Sequence, residues 1–239
     1  MKKYSLWTSG LFLGALLLAG HLFGRDVVMN VDNHPTAVAA NNKATQLAKK
    51  GDLDGAIRYY TAAFKADPTM FVAIYERGTM YMRQRKYEQA IADFDTALKV
   101  SRSFILAAID RAVALQHLGR YGQALREFTY IINLPPRAHA MALARSDRAW
   151  LLATCPDPSL RNGKQAVSDA EAACKIDSWD SADYIDTLAA AYAEAGDFAK
   201  AIKFEEKAIR KTRDPEGKKS LGERLALYQQ NRAFHLSAR

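Results

Sequence analysis

The residues of this 239-residue chain that could carry chemistry are five histidines, two cysteines and scattered carboxylates. His21, His34, His117, His139 and His235 are far apart, and none stands at metal-ligand spacing from another histidine or a cysteine. Cys155 and Cys174 could bridge in an oxidising compartment. If a helical hairpin joins them, Cys155 sits at its turn and Cys174 roughly ten residues into the next helix, about 15 Å away, so two buried thiols are expected instead. Asp93 and Asp95 share a helical stretch with no base beside them and read as surface charge. No phosphate-binding glycine loop and no G-x-S-x-G elbow occurs. The expectation is a chain without catalytic residues, cofactor or metal, and not an enzyme.

The elements that hold these residues are periodic. Small residues recur at one slot, Ala44, Gly78, Ala112, Ala149 and Ala189, separated by 34, 34, 37 and 40 residues. A second small slot follows at Ala56, Ala90, Ala124, Ala166 and Ala201. Large residues keep step: Leu47, Tyr81, Leu115, Leu152 and Tyr192 after the first slot, and Tyr60, Phe94 and Phe128 after the second. Small and large residues at helical spacing describe a seam along which two helices approach closely. A fixed period of this length marks a repeat architecture.

The stretch from Tyr75 to Leu98 carries the pattern most plainly, with Ile74, Arg77, Gly78, Tyr81, Ala90 and Phe94 at the diagnostic spacing. It resembles the tetratricopeptide repeat (TPR), whose pattern is W-x2-L-G-x2-Y, then A-x3-F, then P. Ile74 stands where Trp is usual, Arg77 where Leu is usual and Arg102 where the closing Pro is expected. The resemblance runs from about Thr36 to Pro215 and implies an all-α, right-handed α-solenoid of about five helix-turn-helix units. The units fall at about 36–68, 71–102, 103–136, 139–178 and 181–215, with a capping helix and tail over 216–239. One slot holds Glu76-Arg77, Asp110-Arg111 and Asp147-Arg148 in three consecutive units. It reads as an ion-pair ladder between repeats on the surface, or as a row of arginines facing a ligand.

Before the repeats, Lys2 and Lys3 precede an apolar run over residues 6–23, and Gly24-Arg25-Asp26 ends it. Eighteen residues at about 1.5 Å each give roughly 27 Å, enough for a bilayer core. An N-terminal hydrophobic helix over 1–26 is therefore expected, with a linker over 27–35. It reads as an uncleaved anchor, because no small-x-small cleavage site follows Leu11–Ala19 and His21 stands where a lipoprotein would have Cys. The paired lysines place the N-terminus in the cytoplasm and the repeats beyond the membrane, which in a bacterium is the inner membrane with a periplasmic domain. The alternative is a signal peptide and a periplasmic or secreted protein.

The net charge is +8 with a pI near 9.4. The excess is mixed with acids, as in Lys203-Phe204-Glu205-Glu206-Lys207, and no basic stretch is interleaved with aromatics, which argues against nucleic acid. Lys200, Lys203, Lys207, Arg210 and Lys211 share one helical face and read as a solvated stripe. The fourth unit is unusual. AWLLATCPDP followed by RNGKQAV resembles a recurrent variant repeat of bacterial proteins, with a long loop from Cys155 to Gly163 beside Trp150.

Family resemblance implies a groove lined by the first helix of each unit. Its candidate residues are Tyr75, Thr79, Met82 and Arg83, then Ile109, Val113, Gln116 and His117, then Ser146 and Trp150, then Asp186, Ala190 and Glu194. The Lys and Asn cluster of carboxylate-clamp repeats is missing from these slots. The expected partner is a peptide segment or helix of another protein, bound by an adaptor at the outer face of a membrane. The alternative is a structural subunit of an envelope complex assembling through the convex face or the cap.

Overall fold

The computed structural model describes residues 35–135 and 138–237; the apolar segment over 6–23 lies outside them. Among the described residues there are eleven α-helices, one 3-10 turn and no strand. No helix among them is long and apolar enough to cross a membrane. The chain divides into two compact units, one ending at Ala107 and one beginning at Ala108.

The first unit contains α1 (Pro35–Lys49), α2 (Leu53–Ala66), α3 (Phe71–Arg83) and α4 (Tyr87–Val100). Helix α5 (Ile105–His117) carries the boundary. The second unit continues with α6 (Tyr121–Ile132), α7 (Ala138–Thr154), the 3-10 turn Pro158–Leu160, α8 (Gly163–Ile176), α9 (Ala182–Glu194), α10 (Phe198–Lys211) and α11 (Pro215–Gln229). From α1 to α4 and from α6 to α11 each helix packs on the next, and α9 also packs back on α7.

Local chemistry sets the helix ends. Asp52, Asn162, Ser181, Asp197 and Asp214 are N-caps whose side chains accept a backbone N–H from the first turn. Pro215 then occupies the first position of α11, where a missing N–H costs nothing. Gly51 and Gly196 reverse the chain after α1 and α9 with φ of +83°. Arg85 stands at the corresponding turn after α3 with φ of +60°.

The small slots are the points of closest helix approach. Ala44, Ala56, Ala90, Ala124, Ala149, Ala166, Ala189 and Ala201 have no exposed surface. A Cβ on Gly78 would lie 2.7 Å from Phe94 Cε1, so the glycine lets α3 sit against the ring that α4 supplies. In the first unit Tyr60, Ala63, Ala73 and Met80 complete the core; in the second it is built on Leu152, Ile185, Leu188, Leu221 and Tyr228.

Candidate functional site

The arginines of the repeated acid-arginine slot pair with a carboxylate of their own hairpin, and two of them also reach the preceding repeat. Arg77 donates from Nε and Nη2 to the two carboxylate oxygens of Asp93 at 2.8 and 2.7 Å, across its own hairpin. Its Nη1 donates to Thr61 Oγ1 at 2.9 Å, on the second helix of the preceding hairpin. Arg148 repeats this with both oxygens of Asp169 at 2.8 Å and with Thr129 Oγ1 at 3.1 Å. Arg111 makes the looser member, with Glu127 at 3.1 Å. The Arg77 and Arg148 guanidinium groups thus each tie two second helices together. Asp93, expected as surface charge, is buried: desolvation raises its pKa, and the Arg77 hydrogen bonds pull it back. Asp147, in the same slot, is pushed up to about 7 by burial and by Asp110.

The candidate groove residues separate into two classes. In the first unit Tyr75 lies edge-on to Phe104 at 4.7 Å and against Phe94 at 5.8 Å. Thr79 Oγ1 donates to the Glu76 carbonyl at 2.8 Å. Tyr75, Thr79 and Met82 are all buried, and Arg83 is exposed, reaching the Ala48 carbonyl at 3.3 Å. In the second unit Ile109 is buried and Val113, Gln116 and His117 are half-buried on α5. Ser146 is buried between first helices, its Oγ donating to Thr187 Oγ1 at 3.3 Å. Ala190 is buried too. Asp186, expected on the groove face, is 1% exposed and held by Arg224 of α11. Family spacing identifies the face of a first helix, but packing of α7 on α9 covers the middle of that face.

Trp150 and Glu194 remain, and the structure brings them together. Helix α11 closes with Asn231 in the left-handed conformation, φ +54°, where asparagine is tolerated. The Arg232 N–H donates to the Leu227 carbonyl and the Asn231 N–H to that of Tyr228, both at 3.0 Å. The chain then leaves the helix, and residues 232–237, without regular structure, cross the ends of α7 and α9. The Phe234 ring sits 6.0 Å from that of Trp150. The Arg224 guanidinium lies 5.6 Å from the Trp150 centroid and 5.7 Å from that of Phe234. His235 Nε2 meets Glu194 Oε2 at 2.7 Å. The Leu236 N–H donates to the carbonyl of Thr154, the last residue of α7, at 2.8 Å. That carbonyl has no intrahelical donor, so an extended chain is a natural partner for it.

The long loop positions this site. Arg161 donates from Nε to Glu194 Oε1 and from Nη1 to the Cys155 carbonyl, both at 3.0 Å, so it orients the carboxylate that His235 meets. The Asn162 N–H donates to the Leu152 carbonyl at 2.9 Å. Gly163 has no room for a side chain: a Cβ there would lie 2.6 Å from the Ala195 nitrogen and 2.7 Å from the Glu194 carbonyl carbon. Gly163→Ala is expected to cost about 1–3 kcal/mol, because the obstacle is backbone and α8 must shift away from the end of α9. Urea denaturation reads this; a cost below a few tenths would mean that the loop yields freely.

Both cysteines are buried and free. Burial pushes the Cys174 thiol up to about 12 and raises Cys155 as well. Among the described residues no His, Cys, Asp and Glu side chains are grouped to hold a metal ion.

A second surface assembles what no single stretch of sequence displays. Trp179, from the connection after α8, stacks on Phe204 of α10 at 5.9 Å and 15°, and Phe204 stacks on Tyr192 at 5.6 Å and 4°. Lys207 lies 4.7 Å over the Trp179 ring and Lys200 4.9 Å over the Tyr192 ring. Trp179, Phe204, Lys203, Lys207 and Arg210 line an open cavity of about 300 Å³. The basic stripe is therefore interleaved with aromatics in space, although not in sequence.

Profiles of the tetratricopeptide repeat match residues 41–103, 75–140 and 181–214, together more than half of the chain. No curated protein matches the sequence. Among solved structures, PilW, a widely conserved type IV pilus biogenesis factor, superimposes with a TM-score of 0.69 at 16% identity, over 82% of this chain and 87% of its own. A thermophilic TPR protein of Thermus thermophilus gives 0.63 at 18% identity, over 81% and 99%. YrrB, a TPR protein with an unusual peptide-binding site, gives 0.54 at 22% identity, over 78% and 92%. At these identities the likeness is one of fold.

Proposed function

This chain belongs to the tetratricopeptide-repeat family, and from that premise we propose that it is a non-catalytic scaffold that binds another protein through an extended peptide on the first-helix face of its hairpins. The observation that carries the reading is the seating of residues 232–237 against Trp150, Glu194 and the Thr154 carbonyl. A face that pairs one aromatic ring, one carboxylate and one helix-terminal carbonyl has the parts needed to read an extended chain. Of the residues expected to line the groove, those left accessible in the second unit are Val113, Gln116, His117, Trp150 and Glu194, and in the first Arg83. The scaffold works at the outer face of a membrane, held by residues 6–23 with Lys2 and Lys3 on the cytoplasmic side, or released there after cleavage.

Crosslinking followed by mass spectrometry on intact membranes tests this. Partner crosslinks are expected on α7 and α9 and should be lost in Trp150→Ala. Crosslinks that ignore this substitution would remove the groove mechanism.

The aromatic-basic surface of α10 favours a second reading, assembly into a larger complex through the second helices. Trp179 has φ of +64°, an uncommon conformation for a bulky residue that persists only where its surroundings require it. Lys203→Glu with Lys207→Glu should then abolish assembly while Trp150→Ala has no effect; the opposite pattern supports the groove.

A further inference from the structure

We propose that residues 233–237 are an intramolecular ligand that occupies this face reversibly, and that the partner it gives way to is an extended peptide with an aromatic residue followed by a basic one. The inference rests on the groove reading above and names the chemistry that the groove selects.

Three contacts of the segment are chemically distinct. The Leu236 N–H to the Thr154 carbonyl is a backbone bond, so it sets the direction of the peptide and is indifferent to side chain. Phe234 packs beside Trp150, and the Arg224 guanidinium lies against both rings at nearly equal distances, a surface that favours an aromatic ring. His235 meets Glu194, whose carboxylate Arg161 already holds in place, so the neighbouring position takes a base. An aromatic residue followed directly by a basic one satisfies both pockets from successive residues of an extended strand, whose side chains point to opposite sides.

The segment is built to leave. His235 and Ser237 are exposed and Ala233, Phe234 and Leu236 only half-buried, whereas Tyr228, Arg224 and Leu221 hold α11 in the core without it. The two groups that close α11, the Asn231 and Arg232 amides, are satisfied within the helix end itself. Release of residues 233–237 therefore leaves the helix capped. Being attached, the segment acts at a high effective concentration, so a weak contact suffices to exclude competitors of similar chemistry.

The test uses the full chain and a fluorescein-labelled peptide carrying the sequence of residues 231–237, with binding read by anisotropy. Phe234→Ala should release the segment and tighten peptide binding at least tenfold over the unsubstituted chain. Trp150→Ala added to Phe234→Ala should abolish it. His235→Glu, placed at an exposed position and repelled by Glu194, is a second releasing variant that leaves the core untouched. Circular dichroism should show unchanged helix content in both. Equal binding to the released and unsubstituted chains, or no binding to either released chain, overturns the plug. If it is overturned while partner crosslinks still map to α7 and α9, the scaffold reading stands; if the peptide binds as expected and no crosslink maps there, the scaffold reading falls and the plug remains.

Discussion

Arg224→Met is expected to cost about 3–5 kcal/mol, because it leaves a carboxylate buried without its counter-charge. Arg224 is 6% exposed and lies among the most enclosed acids of the second unit. It donates from Nε and Nη2 to the two oxygens of Asp186, each at 2.9 Å, and its Nε lies 3.4 Å from Glu205 Oε1. Its outer face carries the Trp150 and Phe234 rings. The side chain therefore joins α9, α10 and α11 and at the same time forms the floor of the peptide site. Methionine fills much of the volume but supplies no charge and no donor. Adding Asp186→Asn should recover a large part of the loss, since the two residues are directly bonded and their effects cannot be additive. Urea denaturation of the three variants measures this. A cost below about 1 kcal/mol for Arg224→Met, or no recovery in the double variant, would show that the cluster is solvated in solution.

Glu205→Gln is expected to act in the opposite direction, stabilising the chain by about 1–3 kcal/mol at neutral pH. Glu205 has no exposed surface, and among the described residues neither carboxylate oxygen finds a hydrogen-bond donor. Burial, with the Asp186 carboxylate next to it, pushes its pKa up to about 10, against the opposing pull of Arg224. Asp186 is raised by burial as well, and the Tyr228 hydroxyl shares the enclosure. One guanidinium cannot neutralise two carboxylates, so Glu205 keeps its proton and becomes a donor facing Asp186. The sign follows from the proton balance. Between about pH 4.5 and 10 the folded chain holds a proton on Glu205 that the unfolded chain has released, so stability falls as pH rises through that window. Glutamine carries the same donor without a proton to lose. The difference in stability between variant and parent should thus be small near pH 4 and grow towards pH 9. Asp147, pushed up to about 7, adds a slope of the same sign to both proteins and cancels in the difference. A flat difference, or a destabilised variant, would mean that Glu205 is ionised in the folded state.

Some of this was legible in the sequence for a local reason. Ala44 and Ala56, or Gly78 and Ala90, belong to one hairpin, and the contact between its helices is decided within one period. Close approach demands a small residue there, so the spacing exposes the architecture. Trp150 and Glu194 could be singled out because the same period identifies the face of a first helix. Thr79 and Trp150 hold the same position of the period, one after Gly78 and Ala149, yet Thr79 is buried while Trp150 is half-buried, and only packing decides between them. Asp93 reads as solvated until its partner is seen 16 residues upstream, on the other arm of the hairpin.

The sequence by itself therefore determined the repeat, the helix boundaries that Asp, Asn, Ser and Gly enforce, and the two thiols held apart. Those features depend on chemistry within a few turns of the chain. The tertiary structure alone decided the charge cluster of Asp186, Glu205 and Arg224, the stack of Trp179 on Phe204, and the seating of Phe234 and His235 on Trp150 and Glu194. These join residues from different periods, Arg224 and Asp186 being 38 positions apart. A buried ion and an exposed one obey the same helical pattern, and only the three-dimensional enclosure, by removing water, separates them.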